Sequence, residues 1–301
     1  MKDNRSLLKR FSEFQDERLQ LGILIFTTTS VVLSSAAVSL PPSESIYNFS
    51  TEIIISIITL LLFMFHIRVL DEHKDYDFDS KYHKNRPIQR GLITLKELLI
   101  IDIIGLTIIL VLNIFMQSKA LIFLLVALGY TIIAGKEFFI KNWLKKRFFL
   151  YNFLNMLQLL FLQFYLYSLI NPNFSFRNMI LFIHFIFVLF NVGILEFARK
   201  LKSKSEETAA NDTYSSRLGI KKAAIIYIMI CFVVYALFLH MLLSLKFNMI
   251  IFAISLAFLN LVVLSTSIYL SNNNKTSSFL LQSFAALFYI SMHLLLVISK
   301  L

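Results

Sequence analysis

Residues 66–91 read HIRVLDEHKDYDFDSKYHKNRPIQRG. An apolar stretch ends here, a dense run of acids follows, and a dense run of bases comes next. Read as a helix, Glu72, Asp75 and Asp79 are spaced i, i+3, i+7, and Asp71, Asp75 and Asp79 are spaced i, i+4, i+8, so both sets share one helix face. Carboxylates crowded on one face repel, and a cation relieves them. Magnesium suits that place, because it is a hard ion held by one or two carboxylates together with phosphate oxygens. Lys81, Lys84, Arg86 and Arg90 then suit a polyanion beside the metal. The plainer alternative is a solvated charged loop between two membrane spans.

Outward from this segment the chain is strongly apolar. It has 301 residues, 57% of them hydrophobic, above the roughly 45–50% of soluble domains. Stretches of about 20 apolar residues cross a hydrocarbon core of about 30 Å. Nine are read, at 21–40, 51–69, 97–116, 120–135, 148–170, 178–197, 221–244, 248–270 and 279–299, the fourth being the shortest. The expected fold is all-α, a polytopic bundle of nine transmembrane helices. Ahead of it, RSLLKRFSEFQDERLQLG sets Leu7, Leu8, Phe11, Phe14 and Leu19 among charges, the pattern of an amphipathic helix lying in the membrane interface. The expected organisation is therefore an N-terminal segment, 1–20, and one transmembrane domain, 21–301, with two long cytoplasmic loops at 71–96 and 196–222. Gly (7) and Pro (4) are scarce, which favours unbroken helices.

The net charge of +11 does not point to nucleic acid, because its distribution follows the membrane. Of the 29 lysines and arginines, all but Arg68, Lys119, Arg177, Lys246 and Lys300 fall in segments 1–20, 71–96, 136–147, 198–222 and 271–278. Positive residues mark the cytoplasmic side. The expected protein is a multi-pass protein of the cytoplasmic (inner) membrane, with the N-terminus in the cytoplasm and the C-terminus outside. Cys231 is the only cysteine, so an intrachain disulfide and a Cys-based metal site are both excluded.

The order of residues from 71 to 91 resembles the first aspartate motif of the UbiA superfamily of intramembrane prenyltransferases. That motif is roughly N-D-x-x-D-x-x-x-D, then R-P and a nearby Gly. Asp71 stands at the Asn position and Glu72 at the first Asp; Asp75, Asp79, Arg86, Pro87 and Gly91 match directly. The family also uses nine spans and places its two acidic motifs after spans 2 and 6. The second loop here, LEFARKLKSKSEETAANDTYSSRLG at 195–219, follows span 6. Where the family has D-x-x-x-D, this chain has Glu196 and then Lys200, and it looks closer to a divergent bacterial branch with E-F-x-R-K followed by T-Y-S. A third match, GYTIIAGKEFFIKNWLKK at 129–146, resembles the segment where the family sets a Tyr and a Lys near the diphosphate.

The resemblance implies magnesium-dependent transfer of a prenyl group from an isoprenyl diphosphate to an acceptor that the sequence does not identify, within the bilayer. It implies metal ligands at Asp71, Glu72, Asp75, Asp79 and Glu196, with Asp75 and Asp79 essential to catalysis. Diphosphate contacts are implied for Arg86, Arg90, Lys136, Tyr130, Arg199 and Lys200, and Glu206 or Glu207 could supply a displaced carboxylate. Two loops facing each other would close over one diphosphate. Each second-tier assignment has a structural alternative. Glu196 and Lys200 form an i, i+4 pair worth about 0.2–0.5 kcal/mol on a helix, and Tyr130 and Lys136 are ordinary interface anchors. Asn155 and Gln158, i, i+3 in span 5, either line a polar pocket or join helices. Asp102 reaches the interface or a neighbouring helix. His184, His240 and His293 lack ligand spacing and read as hydrogen-bonded packing residues. Competing functions on the same scaffold are a terpene cyclase, a prenyl ether lipid synthase, and a non-catalytic binding or transport protein. A transporter predicts paired spans broken by Gly or Pro, which this chain lacks.

Overall fold

The computed structural model describes residues 5–40, 44–116, 119–209, 211–245 and 247–300. Lys246 and Leu301 lie outside them. The described residues form α-helices without a strand. In order these are α1 (Leu7–Arg18), α2 (Leu21–Ser39), α3 (Ser50–Lys74), α4 (Tyr76–Tyr82), α5 (Leu95–Phe115), α6 (Ala120–Gly135), α7 (Lys141–Lys145), α8 (Phe148–Ile170), α9 (Met179–Arg199), α10 (Tyr214–Leu218), α11 (Ile220–Leu245), α12 (Met249–Asn272) and α13 (Lys275–Lys300). Eight of them, α2, α3, α5, α8, α9, α11, α12 and α13, are long and apolar enough to cross a membrane. α6 is the shorter apolar helix. Its 16 residues rise about 24 Å, somewhat less than a bilayer core. Among the described residues, the nine apolar stretches of the sequence are thus nine apolar helices of a polytopic, all-α membrane protein.

The chain packs as two compact units. The first comprises Met1–Thr29 and Tyr47–Asn173, and the second Ser30–Ile46 and Phe174–Leu301. Within the first unit, α3 packs along α5 and α6 along α8. Gly135 of α6 faces Leu70 of α3, and a Cβ there would come into ordinary contact with Leu70 Cδ1 at 3.4 Å. A buried polar cluster joins three helices: Asn113 Nδ2 donates to Thr59 Oγ1 at 3.0 Å, and Tyr165 OH donates to Asn113 Oδ1 at 2.8 Å. In an apolar surround such groups must satisfy one another. Asp102 does not reach the interface; it meets His66 Nδ1 at 2.8 Å on the neighbouring α3, and both residues are buried.

Within the second unit, α9 packs along α11 and α12 along α13. Ser34 Oγ lies 2.7 Å from His293 Nδ1 and 3.2 Å from His184 Nε2, and all three residues are fully buried. The two histidines are packing residues that share one hydroxyl. Asn178 and Asn248 cap α9 and α12 by accepting hydrogen bonds from the first backbone N–H groups of each helix, the groups that no residue within the helix can satisfy.

The amphipathic α1 seats its apolar side in the first unit. Phe14 is fully buried in a cluster with Phe65, Val69, Ile88, Ile93 and Leu98, and Phe11 and Leu19 pack against it. Leu7 and Leu8 remain exposed. Opposite charges fix the same helix. Arg10 makes a two-pronged contact with Glu97, at 3.0 and 2.8 Å, the planar geometry that suits guanidinium to carboxylate. Glu97 also closes the capping box of α5 with Thr94.

Candidate active site

The acid motif is helical, not a loop. α3 continues past the apolar stretch to Lys74, so Asp71 and Glu72 sit in its last turn. The chain kinks at Asp75, where φ is −97° and ψ is 6°, and resumes as α4. Backbone bonds still link the acids in helical register across the kink: Asp75 N donates to Asp71 O at 2.9 Å, and Asp79 N to Asp75 O at 2.8 Å. The i, i+4, i+8 spacing read from the sequence therefore survives as geometry.

Burial divides the four acids. Glu72 and Asp79 are each 1% exposed, whereas Asp71 and Asp75 are half-buried. Two charged groups cannot be buried alone without a large desolvation cost, and each has its own arginine. Arg18 of α1 donates to Glu72 Oε1 at 2.6 Å. Arg86 faces Asp79 Oδ2 as an ion pair. Glu72 Oε2 and both Asp79 oxygens receive no well-directed hydrogen bond. Asp71 pairs instead with Lys74, at 2.6 Å.

The basic half of the motif forms a compact turn. Leu92 N donates to Pro87 O and Gly91 N to Ile88 O. Gly91 has φ of 81°, a conformation glycine adopts without the Cβ penalty. Pro87 and Ile88 are buried. Lys81, Lys84 and Arg86 line an open basin of about 510 Å³ together with Tyr82, His83 and Asn85. Arg90 is held away by α1, with Glu13 and Glu17 each 2.7 Å from its guanidinium. The hydrogen bond from Arg90 holds the Glu17 carboxyl below its usual range.

The hard-oxygen donors of this motif suit magnesium. Two of its buried acids keep an oxygen without a donor, and that acceptor capacity suits a cation. No three His, Cys, Asp or Glu side chains among the described residues converge as a preformed metal group. Magnesium does not require three, since phosphate oxygens and water complete its shell.

In the second unit, Glu196 ends α9 with both carboxylate oxygens engaged. Arg199 contacts Oε2 at 2.8 Å and Lys200 contacts Oε1 at 2.9 Å. The Lys200 ammonium also lies 5.7 Å from the Tyr214 ring centroid, and Tyr214 stacks on Phe197 at 3.9 Å. Burial lowers the Lys200 pKa, with the Glu196 charge opposing. Glu206 and Glu207 tie the loop itself together. Glu206 accepts from Ser203 Oγ at 2.7 Å and from Ser278. Glu207 accepts from Thr213 Oγ1 at 2.7 Å and from Ser215 Oγ. Thr213 caps α10, and Gly219, with φ of 79°, turns the chain into α11.

The third segment belongs to the first unit. Tyr130 OH donates to Leu154 O at 2.8 Å, which joins α6 to α8. Lys136 is exposed at the end of α6. Directly after it, Glu137, Phe138 and Phe139 all have positive φ, from 51° to 60°. Such a left-handed run of non-glycine residues costs roughly 1–2 kcal/mol per residue. Asn155 and Gln158 line a small cavity with Asp71, Lys74 and Thr131.

Sequence reading passed over two residues of this neighbourhood. Lys74 lies inside the acid motif, three residues after Asp71, and the i, i+3 spacing was a usable signal. Arg18 lies 54 residues from Glu72, and no local pattern links the two.

A solved structure reported in work on digeranylgeranylglyceryl phosphate synthase in membranes superposes on the chain with a TM-score of 0.53. The match covers 97% of this chain and 99% of that one at 15% sequence identity, so the likeness is one of fold. No curated protein matches the sequence. The family model for the UbiA prenyltransferases matches residues 23–292. That match runs from within α2 to within α13 and takes in the kinked acid motif and the second loop, and the chain belongs to the UbiA prenyltransferase family.

Proposed function

We propose that this protein transfers a prenyl group from an isoprenyl diphosphate to an acceptor in the membrane, with magnesium bound at the first acid motif. Family membership supports membrane prenyl transfer in general. The observation that carries the finer reading is the motif itself. Four acids stand in helical register across a kink, two of them buried with oxygens that lack donors, and a basic basin follows directly.

Asp71, Glu72, Asp75 and Asp79 would hold the metal. Bound magnesium supplies positive charge that stabilises the diphosphate as the allylic C–O bond breaks. Arg86, Lys81 and Lys84 hold phosphate oxygens from the basin, with Arg86 kept in place by Asp79. Arg18 pairs with Glu72 and fixes its direction. The apolar spans keep water from the allylic carbon. The test is incubation of the purified protein with radiolabelled isoprenyl diphosphates and membrane extract. Labelled lipid and released diphosphate, both abolished by a chelator, are expected. Diphosphate untouched across donor lengths, with extract present, would remove the enzymatic reading.

Lys200 is a narrower case. Lys200→Ala is expected to cost less than the roughly 3 kcal/mol of breaking a buried pair, because Arg199 keeps its hold on Glu196. A melt unchanged with a donor KM raised about ten-fold would assign Lys200 to phosphate, since a charge-assisted contact is worth about 1.5–3 kcal/mol. An unchanged KM limits it to the Glu196 pair.

The proposed orientation puts the acid motif in the cytoplasm. Reporters fused after Gly91 and Gly219 are expected to read cytoplasm and one at Leu301 the outside. Equal readings at the N- and C-terminal ends would contradict nine crossings, with the short α6 as the first suspect.

A further inference from the structure

We propose that Lys74 is a resident counter-cation of the acid motif, which occupies the place of a metal ion at Asp71 and Asp75 until magnesium and diphosphate displace it. This rests on the proposed metal-dependent reading of the motif.

Three observations converge on Lys74. Its ammonium lies 2.6 Å from Asp71 Oδ1, and Asp75 follows it directly at the end of α3. The Lys74 side chain is only 5% exposed, whereas that of Asp71 is 37% exposed. An ordinary surface pair of the same i, i+3 spacing, Arg199 with Glu196, leaves the arginine 61% exposed. Finally, Nζ sits 5.4 Å from the centroid of the Tyr151 ring, a cation–π distance. Beside it lies a cavity of about 10 Å³ lined by Asp71, Lys74, Thr131, Asn155 and Gln158, with room for about one water.

The four acids are thereby neutralised in two ways. Glu72 and Asp79 have arginines from α1 and from the basic turn. Asp71 has a lysine from its own helix, next in sequence to Asp75. A divalent ion at Asp71 and Asp75 must expel the ammonium, and the expelled lysine needs an anion. A diphosphate oxygen supplies it. Metal and diphosphate therefore bind cooperatively, and metal alone binds weakly.

The first test is Mn²⁺ binding to the detergent-solubilised full chain, read by electron paramagnetic resonance with no donor present. Lys74→Met is expected to bind Mn²⁺ about five-fold or more tightly than the wild type, a coupling of ordinary size. Lys74→Arg, which keeps the charge, is expected to stay weak. Inorganic diphosphate should tighten Mn²⁺ binding in the wild type and much less in Lys74→Met. Equal or weaker Mn²⁺ binding in a folded Lys74→Met overturns the proposal. The second test uses the wild type alone. Reductive dimethylation read by mass spectrometry should modify Lys74 slowly in metal-free protein and several-fold faster once Mn²⁺ is added, with other lysines unchanged. A Lys74 rate that does not respond to Mn²⁺, in protein shown to bind it, overturns the proposal while leaving the metal reading intact. Absence of Mn²⁺ binding even with diphosphate removes the metal reading and this proposal with it.

Discussion

Asp75→Ala and Asp79→Ala are each expected to slow prenyl transfer by about 10²–10³-fold, the size of effect seen when a preorganised electrostatic group is removed. Asp75 stands at the kink between α3 and α4, and Asp79 ends the register that begins at Asp71. Folding should be little affected. Asp75 is half-buried, and the arginine released by Asp79→Ala, Arg86, is 28% exposed and can turn to water. Steady-state kinetics with a labelled donor, alongside a thermal melt, separates the two effects. Wild-type turnover in both variants would sink the assignment of metal to this motif.

The second large effect is on stability. Arg18→Met is expected to destabilise the first unit by about 3 kcal/mol, near the lower end for breaking a buried pair. Glu72 is left 1% exposed and without its partner. The lower end applies because the Arg18 side chain is 17% exposed, so part of the pair is already screened. Adding Glu72→Gln to Arg18→Met should recover most of the loss, since the buried charge is gone. Unfolding in mixed micelles, followed for the wild type, both single variants and the double, measures this. A double variant no more stable than Arg18→Met alone would mean that Arg18 acts through packing rather than through charge.

Hydrophobic runs made the fold legible. A backbone in lipid must satisfy its own hydrogen bonds, so each long apolar run becomes a helix. The acid motif was legible for a related reason: its spacing is a helical spacing, and the backbone bonds from Asp75 to Asp71 and from Asp79 to Asp75 preserve it. What the sequence left open were choices between partners. Arg90 reads as a phosphate ligand by its place after Arg86, yet Glu13 and Glu17 hold it. Those acids lie 77 and 73 residues away, and nothing local encodes the meeting. Glu196 and Lys200 form the ion pair that their i, i+4 spacing allows, and that spacing carries no information on a phosphate contact. The left-handed turn at 137–139 was invisible, because three ordinary residues, Glu and two Phe, carry a conformation that usually calls for glycine.

The arginines of α1 also have a history within each molecule. Arg10 and Arg18 leave the ribosome well before their partners, since Glu97 follows Arg10 by 87 residues and Glu72 follows Arg18 by 54. While the first apolar helix enters the bilayer, neither has met its acid, and in the proposed orientation both are the kind of charge that retains a leading segment in the cytoplasm. Only after α3 and α5 have been made can Arg18 meet Glu72 and Arg10 meet Glu97. In that orientation the same two side chains act first as an address and later as a clasp, and a chain threaded the wrong way round would keep its address but never close the clasp.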